Sequence, residues 1–359
     1  MKTFTKLALV SSMALSANAF AMQAMDDSAL SATTGQDGLS IGIGISKIEI
    51  EKLFIHDNDG LDGKIENAGA IVIQGNGKSI LDDQGNETNA VKDHGVVIGA
   101  NYDDNGAYLL ASRNLADLKI DSDAGAGGGN SAYLNIAAEV SGLDIKIGEI
   151  GVTASGKQDP TSATSTLRRG GTESNYNAIL SGLELKTGKM NANIQLGAAP
   201  QGAMIKLNTT MIGGLEIKNL GILDNSTKGH VFATVVTDPG DPDADPVVPP
   251  TTANVATKEA GEIFIESIKI TDANKKDLTL DQNIQVFNDA YLGDKVAKAA
   301  HLRIVSNDTG AKDHYIQGIH LGNRSAASIG DMEVQGMQTY YSAVPQEYTK
   351  GAVITISGH

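Results

Sequence analysis

The sequence predicts an all-β protein, an elongated layered β-structure that is solenoid- or sandwich-like, with irregular repeats and one Pro-rich excursion. Ile, Leu and Val alternate with polar residues along most of the chain, which is the two-residue period of half-buried strands. Glycine is frequent, at 41 of 359 residues, while aromatic residues make up only 4% and Trp is absent. Small and β-branched side chains must therefore supply most of the buried surface.

Turn-forming residues separate the apolar stretches, as hairpins and corners require, because Gly, Asn and Asp tolerate positive φ. They occur at Asp59-Gly60, Asp62-Gly63, Gly75-Asn76-Gly77, Gly85-Asn86 and Asn105-Gly106. Helical periodicity is confined to residues 26–34 and 294–302.

A spacing of two, three and two residues between aliphatic side chains recurs along the chain. Copies run through Ile43, Ile45, Ile48 and Ile50; Ile145, Ile147, Ile150 and Val152; Leu215, Ile217, Leu220 and Ile222; and Ile263, Ile265, Ile268 and Ile270. The three-residue step moves the following side chains to the other face unless the backbone bulges or turns a corner, and Gly148 and Gly221 are placed to relieve it. The pattern predicts cornered β units that stack on one another. Chance spacing in Ile-rich strands is the alternative, and the uneven separation of the copies argues against a strict solenoid repeat.

Residues 1–21 are predicted to be a secretory signal peptide. Lys2 and Lys6 precede an apolar run over residues 7–15, and Ala19-Phe20-Ala21 is a small-x-small cleavage site. That run is half of the ~20 residues that a membrane-spanning helix needs. The sequence therefore predicts an exported protein without a transmembrane segment, located between the periplasm and the cell surface.

Composition excludes several classes of function. The formal net charge of −15 at pH 7 argues against a nucleic-acid partner. The chain has no Cys, which excludes disulfides, thiolate metal sites and a Cys nucleophile. It also lacks a nucleophile elbow, a Walker loop and an HExxH motif, so we expect no catalytic residues and a protein that is not an enzyme.

After the signal peptide, the chain divides into four segments. They are an N-terminal motif at 22–37, a β-repeat region at 38–237, a linker or loop rich in Pro and Asp at 238–257, and a C-terminal β region at 258–359. Five of the eight prolines lie in residues 238–250, where they remove backbone donors and stiffen the chain. Because the two-three-two spacing returns at Ile263, we favour an excursion from one β-array over a boundary between two domains.

An acidic loop at residues 56–63 is the candidate cation site. Asp57, Asp59 and Asp62 stand close together in it, and carboxylates in a tight loop suit calcium. The loop is not an EF-hand, because Leu61 occupies a position that should offer an oxygen and no Glu stands twelfth. A structural turn without metal is the alternative, and no other cofactor is predicted.

The segment after the cleavage site, residues 22–38, reads MQAMDDSALSATTGQDG. Through Met22-Gln23, Asp26-Asp27, Leu30-Ser31 and residues 34–38 it resembles the mature N-terminus of the FilA-like family of Gram-negative bacteria, pilus assembly proteins encoded in Fil fimbrial clusters with a chaperone and an usher. Thr33 departs from the valine that is more often found there. The resemblance implies a fimbrial or cell-surface component whose partners are a periplasmic chaperone, an outer-membrane usher and other fimbrial subunits.

Two hypotheses of function follow. The first is a non-enzymatic structural or assembly component of a fimbria, pilus or other cell-surface structure, whose subunits join by β-strand addition. The candidate pairing strands, unless both are ordinary strands, contain Leu39, Ile41, Ile43 and Ile45 near the start and Val353, Ile354 and Ile356 near the end. The second hypothesis is a soluble periplasmic binding or accessory protein, with calcium dependence as an option.

Overall fold

The computed structural model of the chain describes residues 38–125, 131–156 and 171–358, with the backbone alone at 171–174. The predicted signal peptide at 1–21, the motif at 22–37 and the predicted helix at 26–34 lie outside the described residues.

Almost all regular structure is β, as predicted. The strands are β1 (Leu39–Ile43), β2 (Lys47–Ile50), β3 (Lys52–His56), β4 (Gly69–Gln74), β5 (Val96–Ala100), β6 (Ala116–Asp123), β7 (Tyr133–Val140), β8 (Leu143–Ile147), β9 (Glu149–Ser155), β10 (Gly171–Leu180), β11 (Leu183–Lys186), β12 (Met190–Gly197), β13 (Ile205–Met211), β14 (Leu215–Asp224), β15 (Val231–Asp238), β16 (Thr251–Ala256), β17 (Gly261–Asp272), β18 (Leu278–Phe287), β19 (Ala290–Leu292), β20 (Lys295–Lys298), β21 (His301–Ser306), β22 (Lys312–Gly322), β23 (Ser328–Met337), β24 (Tyr340–Tyr341), β25 (Thr349–Lys350) and β26 (Ala352–Ile356). In the described ranges, the helical elements are single turns at Leu61–Gly63, Ile65–Asn67, Asp103–Gly106 and Asn225–Thr227.

Two large antiparallel sheets contain most of these strands. The first sheet has eight strands in the order β1-β6-β7-β12-β13-β18-β21-β26. The second has twelve strands. Nine of them follow one path, in the order β2-β5-β8-β11-β14-β10-β9-β4-β3. The other three branch from β14, which also pairs with β17; β17 pairs with β22, and β22 pairs with β23.

The chain builds both sheets together by running back and forth in eight passes. The first pass is β1, β2 and β3, the second returns through β4, β5 and β6, and the third is β7, β8 and β9. The fourth is β10, β11 and β12, followed by β13 and β14, then β17 and β18, then β21 and β22, and finally β23 and β26. Each pass pairs with the pass before and after it in both sheets, so the structure is the layered β-structure that the sequence predicts.

A corner crosses the second sheet at the three-residue steps. It separates β8 from β9 at Gly148 and β10 from β11 at Ser181, and it interrupts the pairing of β14 with β17 between Lys218 and Leu220. A Cβ at Gly148 would collide with the carbonyl oxygen of Gln74 in the neighbouring pass. The predicted corners are therefore present in these copies of the spacing.

Two details of the spacing differ from the prediction. In β14 the corner lies at Asn219, whose φ is +57°, and not at Gly221. Gly221 is buried because the side chains of Ser181 and Glu262 cross directly over it. The first copy, from Ile43 to Ile50, spans the connection between the two sheets and not the corner of the second.

The Pro/Asp-rich segment leaves the sheets as part of a hairpin. β15 and β16 pair with each other and are exposed throughout, so the second half of the predicted linker or loop at 238–257 is a strand. The strands on either side of this hairpin pair directly, β14 with β17 and β13 with β18. The β-repeat region and the C-terminal β region therefore share both sheets.

The predicted helix at 294–302 is wrong, since this segment contains β20 and the start of β21. β19 and β20 form a short hairpin around Gly293, whose φ of +64° suits the tight turn.

Buried apolar side chains are mostly small or β-branched, as the composition predicts. Val72 and Ala70 in β4, Val96 and Val97 in β5, and Ala203 are among them. The larger members are Met211, Phe264, Leu278, Leu109 and Leu110. Many of the remaining aliphatic side chains in the sheets are only half-buried.

Candidate functional site at the open edges of the sheets

Among the described residues, both ends of the stack are open sheet edges. Within the described part of the chain, β1 pairs only with β6, and β26 pairs only with β21. The second sheet ends in the same two passes, at β2 in the first and at β23 in the eighth. An edge strand presents unpaired N–H and C=O groups, which makes it a template for a further strand.

These edges of the first sheet contain the strands that the sequence nominates for subunit pairing. The structure places Leu39, Ile41 and Ile43 in β1, and Val353, Ile354 and Ile356 in β26. Ile45 follows β1 and is exposed. The two predicted strands do not meet each other but form the opposite edges of one sheet.

Neither edge strand carries the features that usually protect an edge. β1 reads LSIGI and β26 reads AVITI, without Pro or a charged residue. Leu39 is 58% exposed and Ile354 is 53% exposed. Edge strands of monomeric proteins are commonly blunted by Pro, Lys or bulges, so these two are unusually open to pairing.

An aliphatic ladder crosses the first sheet from one edge to the other. Directly opposed residues on its eight strands are Leu39, Ile120, Ile136, Ile194, Ile205, Ile284, Ile304 and Ile354. The six inner rungs are half-buried, whereas the two end rungs are exposed. Opposed aliphatic side chains stabilise a sheet by packing on each other, and each end rung lacks one such neighbour.

A second ladder crosses the other sheet between the same two passes. Its rungs are Ile48, Ile98, Ile145, Leu185, Ile217, Ile268, Ile316 and Met332. Met332, at the open end of this ladder, is 47% exposed. The two ladders thus end in the same first and last passes.

A row of charges runs beside the second ladder. In order of passes it contains Lys47, Gly99, Asp144, Lys186, Glu216, Lys269, Tyr315 and Glu333. The sign of the charge alternates from Asp144 to Lys269, and Lys269 Nζ lies 3.8 Å from Glu216 Oε2. The row ends in a cation at the first pass and in an anion at the last.

The acidic loop after β3 is held by turn hydrogen bonds. The backbone N–H of Asp59 donates to Asp57 Oδ1 at 3.2 Å, and hydrogen bonds from Asp59 hold the pKa of Asp57 below its usual range. Asp62 lies in the single turn Leu61–Gly63 with a φ of 57°. Across residues 38–125, 131–156 and 171–358, no three His, Asp or Glu side chains are grouped so that they could hold a metal ion. The structure therefore does not assemble Asp57, Asp59 and Asp62 into a ligand set, and calcium binding stays a prediction.

Sequence reasoning missed a polar cluster at the corner of the second sheet, in which the buried side chains of Ser181 and Glu262 meet the partly exposed side chain of Arg324. Arg324 forms a fork with Glu262, with Nη2 2.7 Å from Oε1 and Nε 3.2 Å from Oε2, and Nη2 also donates to Ser181 Oγ at 2.8 Å. The guanidinium lies 4.6 Å from the centre of the Phe264 ring. Burial raises the pKa of Glu262, but hydrogen bonds from Arg324 and Ser181 outweigh it and lower the pKa below its ordinary value. These residues are far apart in sequence and form no local motif, so the sequence carries no signal that would have revealed the cluster.

A second ion pair, which is largely buried, lies at the connections through which the sixth and seventh passes move from one sheet to the other. Lys312 Nζ lies 2.5 Å from Asp272 Oδ1 and also contacts Asp308. Burial acts to raise the pKa of Asp272, but hydrogen bonds from Lys312 and Thr279 outweigh it and lower the pKa to about 2. Both polar clusters satisfy their charges internally, which is typical of structural contacts and not of groups held ready for a substrate.

Comparison with known proteins gives one family. A family of unknown function (DUF6160) matches residues 1–130, which contain the first pass, the second pass and the N-terminal segment that precedes them. No curated protein and no solved structure matches the chain. No helix in the described residues is long and apolar enough to cross a membrane.

Proposed function

We propose that the protein is a non-enzymatic structural or assembly component of a fimbria, a pilus or another cell-surface structure, and that its subunits join by β-strand addition. One observation carries the proposal: in the part of the chain that the structure describes, the first and last strands are the opposite, unprotected edges of a single eight-stranded sheet. A subunit that joins neighbours on both sides needs two such edges.

Strand addition fits the chemistry of these edges. Main-chain hydrogen bonds supply affinity, and alternating side chains supply specificity. At β1 and β26 the alternating side chains are aliphatic and exposed, so a strand added there would bury Leu39 or Ile354 and pair the open backbone groups.

The predicted route of the protein suits this role. An exported chain with two open edges is prone to premature association, and a periplasmic chaperone that covers an edge would prevent it. The resemblance to the FilA-like family supports the same set of partners, namely a chaperone, an usher and other fimbrial subunits. The negative charge of the chain favours solubility before assembly.

Immunogold labelling of intact cells tests the proposal. We expect label along surface fibres, and loss of those fibres in a strain that lacks the gene. Label that is seen only after permeabilisation would overturn the proposal and favour a periplasmic accessory protein.

A further inference from the structure

We infer that the strand added at each edge comes from a second copy of this chain, stacked head to tail so that the first pass of one copy pairs with the eighth pass of the next. The inference rests on the proposed function and names the partner and the register of its pairing. Its first support is the number of passes. Successive passes run in opposite directions, and because there are eight, a translated copy presents its first pass antiparallel to the eighth pass of its neighbour. The alternation continues without a break.

The ladders give the register. Within the chain, every rung of the Leu39–Ile354 ladder faces another aliphatic residue, and the same holds for the Ile48–Met332 ladder. Extending both rows by one layer places Leu39 of the next copy opposite Ile354, and its Ile48 opposite Met332. The exposed ends Leu39, Ile354 and Met332, and the half-buried end Ile48, then gain the neighbour that the inner rungs already have.

Charge complementarity supports the same register. One step along from the second ladder, Lys47 of the next copy falls opposite Glu333. Lys47 already lies 2.6 Å from Glu49 in its own strand and is 59% exposed at the side chain. The new pair would place opposite charges face to face across neighbouring strands, as Asp144, Lys186, Glu216 and Lys269 do within the chain.

A strand from an unrelated protein could cover one edge, whereas a copy of this chain matches both sheets and the charge row together. The contact is heterologous, with different surfaces on its two sides, and copies related by translation along the stack have no rotation that would close a ring, so the contact leads to an open filament. Eight layers at about 4.8 Å give an axial repeat of roughly 38 Å for each subunit.

Cysteine cross-linking tests the register, and the absence of native Cys removes any background. Ser40 and Val353 stand at the two ends of the row next to the first ladder, so the inference places them opposite each other across the interface. Ser40→Cys and Val353→Cys are prepared separately in the chain that begins at residue 22, then mixed and oxidised. We expect a covalent dimer from the mixture and none from either variant alone.

Thr355→Cys is the matched control for register. It faces the same side of β26 as Val353 but lies two residues away. Opposed Cα atoms lie about 5 Å apart and diagonal ones about 8 Å, so Ser40→Cys should cross-link with Val353→Cys and not with Thr355→Cys. A dimer from a single variant would show like edges meeting and would overturn the inference, as would equal cross-linking with both partners.

Charge exchange at the second sheet gives an independent readout. Lys47→Glu and Glu333→Lys should each weaken self-association. A mixture of the two variants should restore it. Sedimentation measures the association, and circular dichroism confirms that each variant is folded. If neither cross-links nor association are found, the inference fails. If surface fibres are nevertheless seen by immunogold labelling, the proposed function stands and another partner occupies the edges. Association in solution without surface fibres would be the reverse result.

Discussion

The inner layers of the stack and its two end layers contain the same types of side chain, but these side chains are buried to different extents. Ile194 and Ile354 are rungs of one ladder, yet Ile194 is half-buried between two strands while Ile354 is 53% exposed beside one. The difference is not in residue type or backbone conformation. It teaches that in this ladder the burial is supplied by neighbouring layers, so an end rung remains incomplete until something pairs with it. Stability should therefore depend strongly on inner contacts and weakly on end contacts in the monomer.

The largest effect is expected at Phe264, in the corner of an inner layer. Phe264 is 7% exposed and lies under Arg324, whereas Phe232, on the projecting hairpin, is 70% exposed. Phe264→Ala should lower the free energy of unfolding by about 3–5 kcal/mol. Phe232→Ala is the matched control and should change it by less than about 0.5 kcal/mol. Urea denaturation measures both, and similar values for the two variants would contradict the contrast between inner layers and projecting parts.

The next effect concerns the buried carboxylate of Glu262. Arg324→Gln removes the guanidinium and leaves this carboxylate, whose side chain is 8% exposed, without its charged partner. We expect a loss of about 2–3 kcal/mol in the free energy of unfolding, because an unpaired charge in a buried position is costly. Arg113→Gln, at an exposed position, is the control. A loss no larger than that of the control would contradict the view that Arg324 stabilises the buried carboxylate.

A smaller, pH-dependent effect is expected at Asp272. Its pKa in the folded chain is about 2, below the ordinary value of about 4, so the unfolded state binds the proton more tightly. The contribution is therefore fully present above pH 4 and is lost as the pH falls toward 2. Asp272→Asn should cost about 1–2 kcal/mol at pH 6 and much less at pH 2. Thermal melts at both values check this, with Asp294→Asn, on an exposed turn, as the control expected to show no such dependence.

The sequence predicted part of this architecture for a physical reason. Alternation of Ile and polar residues reports the two faces of a strand, and the three-residue steps at Gly148 and Asn219 report a corner, because both are local properties of the backbone. The layer order was not predictable. Passes run in alternating directions, so the same corner returns after unequal lengths of chain, and hairpins such as Val231–Asp238 with Thr251–Ala256 add further length.

In the candidate site, too, local properties were predictable from the sequence and the arrangement of distant strands was not. The exposed character of Leu39 and Ile354 could be suspected from their strands, but their positions at opposite edges depend on the register of every pass between them. The Ser181, Glu262 and Arg324 cluster also depends on pairing between distant strands. At residues 294–302 the spacing of apolar residues predicts a helix, but Gly293 and the short strands around it form a hairpin.

The smallest effect in the monomer most directly tests the comparison between inner and end layers. Ile194→Ala removes a rung with neighbours on both sides and should cost about 1–2 kcal/mol, since the side chain is only half-buried. Ile354→Ala removes an end rung of the same ladder and should cost less than about 0.5 kcal/mol in the monomer. If copies stack as inferred, however, Ile354→Ala should weaken self-association, because Ile354 then lies between two strands like Ile194. Urea denaturation of dilute protein and sedimentation of concentrated protein separate the two quantities. Equal losses of monomer stability for the two variants would contradict the view that neighbouring layers supply the burial.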